Sequence, residues 1–417
     1  MKLLGVPAMH NGTGEAQAAA VFKLVEEWNL TNRLQCMSFD TTASNTGLVS
    51  GACVLLENKL KRKLLSLACR HHIHELIVAK VFSLLMETSS GPNIKLFERF
   101  SKAWSSIDRE SSESAMTDVS VAALLEPWRE DMIRFCLDQL IEVQPREDYK
   151  ELLHLALLFL GAPDDHPRNI LAPGAFHRAR WMAKLIYCLK IYLFRSQFHL
   201  TPRELAGLRD FNIFVVQIYL KAWYRCQCPV LAPLNDLELL KQFAAYDTNQ
   251  SVAKAAMKSF TSHLWYLSET LIGLAFFDSR VSDEVRVTMV KAMERSSSDE
   301  PQRRIKIDEK HVSGIQLYDF VTHNTKKLFE ALQIPMDFLL LHPSTWEEDE
   351  GFLTGKRKLQ QLKVVNDAAE RGVALIQSFN AVLTNQEDQK QYLLQLVEKH
   401  RKDYPDSNKA TIVRGQV

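Results

Sequence analysis

An aspartate at the end of an apolar segment is the first residue whose position suggests chemistry. Asp40 closes the run Leu34–Asp40 and precedes the polar stretch Thr41–Asn45, which offers several side-chain oxygens. Ligands of α/β sheets bind where the carboxyl ends of parallel strands open into a crevice between loops. This placement favours a metal-binding acid, but an aspartate here would also suit capping of the helix that follows. Both interpretations of Asp40 stay open.

The densest group of metal-capable side chains is the segment Cys69–Glu75, which contains one cysteine and three histidines. Cys69 and His72 have the Cys-x-x-His spacing of half a zinc site, whereas structural zinc takes about four ligands. The other close cysteine pair, Cys-Gln-Cys, has the wrong spacing for a zinc ribbon and precedes a proline. We therefore expect Cys69 and His72 to form hydrogen bonds in the core, at a strand–helix junction beside Asp40.

Composition excludes several classes of protein. The chain has 417 residues, 46% of them hydrophobic, and a formal net charge of +1, which rules out a globally basic nucleic-acid coat. Seven cysteines, an odd number in a long chain, favour a reducing compartment. No apolar run approaches the roughly 18–20 residues that span a bilayer. We expect an intracellular, soluble protein with two or three cores and no membrane contact.

Strand and helix signals alternate over residues 1–90. The strand-like segments are Lys2–Met9, Leu34–Asp40 and Lys63–Cys69, and the helical segments between and after them are Glu15–Leu30, Asn45–Leu60 and Arg70–Met86. Alternation of this kind implies parallel pairing of the strands in an α/β layer.

The following 91–350 region reads as an all-helical block. Apolar residues recur at helical spacing in Ile133–Ile141, Leu152–Leu160, Trp181–Phe194, Phe211–Trp223 and Ser259–Phe277. Two more helical patterns, Leu359–Val382 and Gln386–His400, fall in residues 351–405 and are expected to return to the first layer. Residues 406–417 are predicted to be a frayed tail.

Three segments together resemble a known family. Phe39–Gly47, Gly51–Cys53 and Leu65–Glu75 are similar to transposon-encoded proteins related to DDE transposases with an RNase H-like core, of the hAT and P-element kind. In such families the second catalytic aspartate ends a central strand and a Cys-x-x-His pair follows. Asp40 and the pair Cys69 and His72 match that order.

The resemblance implies a fold and a site. The fold would be a partial RNase H-like α/β layer interrupted by a large all-α insertion. The third acid would be Glu370, in a stretch that resembles the Ala-x-Glu-Arg of hAT-type proteins, with Glu269 as the fallback. Asp40 and Glu370 would then hold Mg²⁺ or Mn²⁺, because two-metal phosphoryl chemistry requires hard oxygen ligands. The resemblance also implies a nuclear location and nucleic-acid contacts from Arg70, Lys356, Arg357, Lys358 and Arg371.

The sequence departs from the family at its first acid, since no Asp or Glu precedes Glu15. We therefore expect an N-terminally truncated or domesticated transposase-like protein that holds no metal and lacks independent strand transfer. Its partners would be DNA, a second copy or a full-length transposase. Two alternatives remain: an active Mg²⁺-dependent nuclease or transposase completed by a partner or an upstream segment, and a helical protein-interaction scaffold. Basic stretches at 59–63, 303–306, 356–358 and 399–402 support nucleic-acid binding, although each also suits a solvated helix surface.

Overall fold

The computed structural model describes residues 4–5, 7, 9–86, 93–144, 147–163, 170–174, 181–295, 307 and 311–365. In this part of the chain the protein is predominantly helical. The chain divides into two compact units: unit 1 is Met1–Ser66 with Val365–Val417, and unit 2 is Leu67–Val364. Unit 2 is therefore inserted, in sequence, between two segments of unit 1.

Unit 1 is a small mixture of helices and a strand. Its elements are α1 (Gly14–Glu27), β1 (Cys36–Phe39), α2 (Ala43–Thr46) and α3 (Ala52–Leu60). The second strand, β2 (Leu65–Ala68), begins in unit 1 and continues past Ser66, where the first segment of this unit ends. The two strands form a two-stranded parallel sheet. Thr13 caps α1 by accepting a hydrogen bond from Ala16 N at 3.3 Å. Ala18, Leu56 and Leu64 form the buried core, on which partly buried apolar side chains pack.

Two predicted elements of unit 1 differ in the structure. In the predicted strand Lys2–Met9, residues 4, 5, 7 and 9 lie outside any strand, and the others fall outside the described residues. The carbonyl of Leu4 instead accepts a hydrogen bond from the Trp28 indole at 2.9 Å. The single helix predicted over Asn45–Leu60 is interrupted at residues 47–51. The interrupted segment lies against the start of α1. This close approach requires a glycine at position 14, because a Cβ there would lie 2.2 Å from the Ser50 carbonyl oxygen.

Unit 2 contains most of the described helices. They are α4 (Arg70–Leu85), α5 (Lys95–Ala103), α6 (Val119–Ile141), α7 (Glu147–Phe159), α8 (Trp181–Leu193), α9 (Pro202–Phe214), α10 (Leu220–Tyr224), α11 (Ala232–Ala245), α12 (Gln250–Thr261), α13 (Asp283–Arg295), α14 (Lys326–Ala331) and α15 (Glu350–Gln360). A π-helical turn, Val215–Tyr219, joins α9 to α10. Short 3₁₀ turns are Trp104–Ser106, Ala115–Thr117, Arg225–Gln227, Leu271–Phe277, Val312–Gly314, Leu317–Phe320, His323–Thr325, Asp337–Leu340 and Pro343–Glu348.

Helix α4 is central to unit 2. It packs against α12, α9 and α8, and its residues Ile73, Ile77 and Val81 recur at helical spacing and are buried. Because α4 packs against these helices, it belongs to unit 2, and the division of the chain falls directly after Ser66. The sequence pattern had instead suggested a boundary near residue 90.

Two helical predictions for unit 2 need correction. Within the predicted helix Phe211–Trp223 the backbone stays helical but widens into the π turn. The predicted helix Ser259–Phe277 is wrong beyond Thr261, where turns lead to the 3₁₀ segment Leu271–Phe277. Tyr266, which lies in these turns, donates from its hydroxyl to the distant carbonyl of Ala68 at 2.6 Å. Most of Leu359–Val382 and all of Gln386–His400 lie outside the described residues.

Candidate functional site

Asp40 follows β1 directly, and its carboxylate oxygen Oδ1 is the acceptor of three local hydrogen bonds. The donors are the Thr42 amide at 3.1 Å, the Thr42 hydroxyl at 2.6 Å and the Asn45 side-chain amide at 2.6 Å. This arrangement is an Asx turn that prepares the start of α2. Asp40 therefore stabilises the turn before α2, whose N-cap residue is Thr42.

The fit of a divalent cation to Asp40 can be judged from the same bonds. A metal bound at Oδ1 would meet three hydrogen-bond donors that already point at this oxygen. In the described part of the chain, no group of three His, Cys, Asp or Glu side chains is placed to hold a metal ion. The three donors therefore occupy the position that a metal would take at Asp40 Oδ1.

Cys53 is the titratable neighbour of Asp40 in unit 1. Burial, together with the negative charges of Glu57 and Asp40, raises the pKa of the Cys53 thiol to about 12. The thiol therefore stays protonated near neutral pH, and a protonated thiol is neither a good nucleophile nor a good metal ligand.

The other proposed metal ligand, Glu370, and the adjacent Arg371 lie outside the described residues. The fallback acid, Glu269, is 2% exposed in unit 2. Its carboxylate accepts a hydrogen bond from Asn324 at 3.0 Å, and its carbonyl accepts one from the Thr325 hydroxyl at 2.7 Å. These contacts give Glu269 a structural role in joining two segments of unit 2.

Cys69 and His72 lie where the sequence predicted, at the junction of β2 with α4. Cys69 is buried and precedes the first residue of the helix. His72 is half-buried and its Nδ1 lies 3.4 Å from a carboxylate oxygen of Glu75, one turn further along α4.

Arg70 is not a surface residue, which corrects its assignment to nucleic-acid binding. Its guanidinium is 2% exposed and forms an ion pair of 2.6 Å with the equally buried Asp236 of α11. Burial acts to lower the pKa of Arg70, but Asp236 raises it above its usual value, so the pair stays ionic. The guanidinium also lies 4.8 Å from the centroid of the Tyr266 ring. A charge that is neutralised inside the core cannot contact a phosphate.

The backbone of this junction is held from two distant segments. The Arg70 amide donates to the carbonyl of Val364 at 2.8 Å. The hydroxyl of Tyr266 donates to the carbonyl of Ala68 at 2.6 Å. The first and last residues of unit 2 are therefore neighbours.

Two further histidines of α4 have core positions that the sequence analysis did not distinguish. His71 stacks on Trp223 with ring centroids 3.7 Å apart. His74 is 2% exposed and contacts the rings of Tyr219 and Phe260. Their spacing places both on the buried side of the helix, but only their aromatic partners on other helices reveal the stacking.

The basic triplet of α15 forms contacts within unit 2. Lys356 pairs with Glu347 at 2.8 Å, and Arg357 pairs with Glu350. The Lys358 ammonium donates to the carbonyls of residues 332 and 333, beyond the end of α14. Two of these cations are therefore paired with carboxylates of unit 2, and the third is hydrogen-bonded to its backbone.

No helix in the described part of the chain has the length and hydrophobicity needed to cross a membrane. Comparison with known proteins adds no relative, since no protein-family model, curated protein or solved structure matches the chain.

Proposed function

We propose that the chain is a domesticated transposase-like protein that contacts nucleic acid and does not perform strand transfer by itself. The observation that supports this most is the order of elements around Asp40. The strand directly before this acid pairs in parallel with a second strand. A helix follows that has Cys69 as its N-cap and His72 in its first turn. A large helical unit then separates this region from the last part of the chain.

The topology of unit 2 supports the same proposal. An insertion into an α/β layer must leave the layer and return to it at nearby points. The hydrogen bond from the Arg70 amide to the Val364 carbonyl joins the two ends of unit 2 in this way. In the proposal the layer is RNase H-like, and the segment after Val364 leads to Glu370 as the third acid.

The contacts of Asp40 are the reason to propose binding without cleavage. Two-metal phosphoryl transfer requires carboxylates that are open to both ions. Asp40 Oδ1 instead stabilises the turn before α2. A nuclear location and pairing with a second copy or a full-length transposase belong to the same proposal.

A cleavage and binding assay tests the proposal. We expect the chain not to cut supercoiled DNA with either Mg²⁺ or Mn²⁺, and the Asp40→Asn variant to behave identically. We also expect it to bind DNA at low salt and to lose affinity as salt rises, because phosphate contacts release counterions.

Two outcomes would overturn the proposal. Metal-dependent cutting that disappears in Asp40→Asn would identify an active nuclease. Failure of the wild-type chain to bind any nucleic acid at low salt would favour the helical interaction scaffold.

A further inference from the structure

The end of α3 and the residues directly after it carry a concentrated positive charge in the described part of unit 1. Between Glu57 and Lys63, four of seven residues are basic and Glu57 is the sole acid. Lys59, Lys61 and Lys63 are exposed. The whole chain has a net charge of only +1, so this segment is a local departure from a nearly neutral protein.

Two of these cations contact an aromatic ring or a backbone carbonyl, and a third pairs with a carboxylate. Lys59 Nζ lies 5.5 Å from the centroid of the Phe22 ring, and Arg62 donates to the Thr31 carbonyl at 2.6 Å. Lys63 pairs with Glu57, but its side chain is 83% exposed. In the described part of the chain Lys59 and Lys61 form no ion pair, whereas Arg70, Lys356 and Arg357 each pair with a carboxylate.

The backbone at Lys61 determines where this lysine lies relative to α3. Lys61 is the C-cap of α3 and has φ 54° and ψ 32°, in the left-handed region. Glycine is the preferred residue for this conformation, because a Cβ is unfavourable there. The helix dipole accounts for a cation such as Lys59 in the last turn, but it does not require a lysine at a left-handed cap. The conformation does not select for charge either, since the uncharged Asn29 and Gln333 also have positive φ, of 53° and 51°. What the cap contributes is the exposed position of Lys61 at the end of α3.

The position of the segment separates it from Asp40. A Cβ on Gly14, at the start of α1, would lie 2.8 Å from the Ala52 amide nitrogen at the start of α3, and Lys59 lies over the Phe22 ring. The two helices therefore run side by side in the same direction. Asp40 acts electrostatically on Cys53, near the start of α3. With a rise of about 1.5 Å per residue, the basic end of α3 lies about 13 Å along the helix from that start.

We infer that the basic end of α3, formed by Lys59, Lys61 and Lys63, binds the sugar-phosphate backbone of nucleic acid. The inference rests on the proposed function and names the surface that makes the contact. Lysine side chains on a flexible stem suit phosphates as point charges, without base specificity. Binding at this surface is independent of the Asp40 carboxylate.

The test measures the affinity of the full chain for a short fluorescent DNA duplex as a function of salt. We expect the Lys59→Gln/Lys61→Gln variant to bind more weakly and to reduce the slope of log K against log salt by about two, since each phosphate contact contributes about 0.9. The matched control is Lys254→Gln/Lys258→Gln, at two exposed lysines of α12, which removes the same charge and should leave the slope unchanged.

A second variant protects the test against misfolding. Lys61→Gly removes one charge and suits the left-handed cap, so we expect weaker DNA binding together with an equal or higher urea midpoint. Unchanged affinity and slope in both Lys61 variants, while the wild type binds DNA, would overturn the inference and leave the proposed function standing. No binding by the wild type would remove both. Binding to polyglutamate as strong as to DNA would indicate an acidic protein partner and would also overturn the inference.

Discussion

At the scale of single residues, Asp40 and His74 show how partners determine the role of an ionisable group. Asp40 accepts three hydrogen bonds, two from Thr42 and one from Asn45, which both follow it closely in the sequence. His74 is enclosed by aromatic rings of other helices. The first forms a polar turn before α2, and the second is a histidine that must stay neutral to remain buried.

The pH dependence of stability should report on His74. Burial, with the nearby charges of Arg70 and His71, lowers the pKa of His74 well below its usual value. Below about pH 6.5 the unfolded chain therefore binds one more proton at this histidine than the folded chain does. As the pH is lowered further, the free energy of unfolding decreases by at most about 1.4 kcal/mol per pH unit, until the pKa of the folded state is reached. We expect His74→Phe to reduce the loss of urea stability between about pH 7.5 and about pH 5.5.

The exposed His10 provides the control for that measurement. His10→Gln should keep the pH dependence of the wild type. If His74→Phe and the wild type lose the same stability on acidification, His74 is not the group that titrates.

At the scale of secondary-structure elements, the start of α4 is the point where distant parts of unit 2 meet. Arg70 bonds to Asp236 of α11 through its side chain and to Val364 through its backbone amide. Burial raises the pKa of Asp236, while Arg70 opposes that rise. Each member of this pair therefore depends on the other to remain charged in the core.

Removing one member of the pair should destabilise unit 2 strongly. Asp236→Asn leaves the Arg70 guanidinium buried without a counter-charge, and we expect a loss of about 3–5 kcal/mol in the free energy of unfolding. Replacing both residues, as Arg70→Met/Asp236→Leu, should cost less than the single change. Urea unfolding measures the stability, and hydrogen exchange of the Arg70 amide reports on its bond to Val364.

The exposed pair of Lys102 and Glu98, at 2.8 Å, is the matched control. Lys102→Gln should change stability by less than about 1 kcal/mol. An Asp236→Asn variant as stable as this control would show that the buried pair contributes little.

At the scale of the whole molecule, the two units differ in the size of their described cores. Unit 1 has a buried cluster of three residues, Ala18, Leu56 and Leu64, with partly buried side chains around it. Unit 2 includes fully buried aromatic residues such as Trp223, Tyr266 and Trp346. Because stability depends on buried apolar area, unit 1 should be the less stable of the two.

A core substitution in unit 1 tests whether the units unfold separately. Leu56→Ala should destabilise unit 1 by about 2–5 kcal/mol. Hydrogen exchange should then accelerate in α1 while α12 keeps its protection. Leu340→Ala, at a side chain that is 82% exposed, should leave both helices unchanged. Equal loss of protection in α1 and α12 would instead indicate one cooperative unit.

Much of the fold near Asp40 could be predicted because its signals are local. The helix capped by Thr13, the strand before Asp40 and the helix that begins at Arg70 were all indicated by sequence. The break at residues 47–51 was missed because it depends on the close approach of Gly14 from another helix. The candidate site was predictable to the same extent: Asp40 and Cys69 were located, whereas Asp236 was not.

The sequence by itself determined the periods of apolar residues, the capping residues and the residue types beside each strand end, since these depend on neighbours within about one or two turns. The tertiary structure alone decided that Arg70 is a buried partner of Asp236, 166 residues away, and that Lys61 remains exposed. Burial and pairing are set by which segments pack together, and a charge has no fixed role until its surroundings are known.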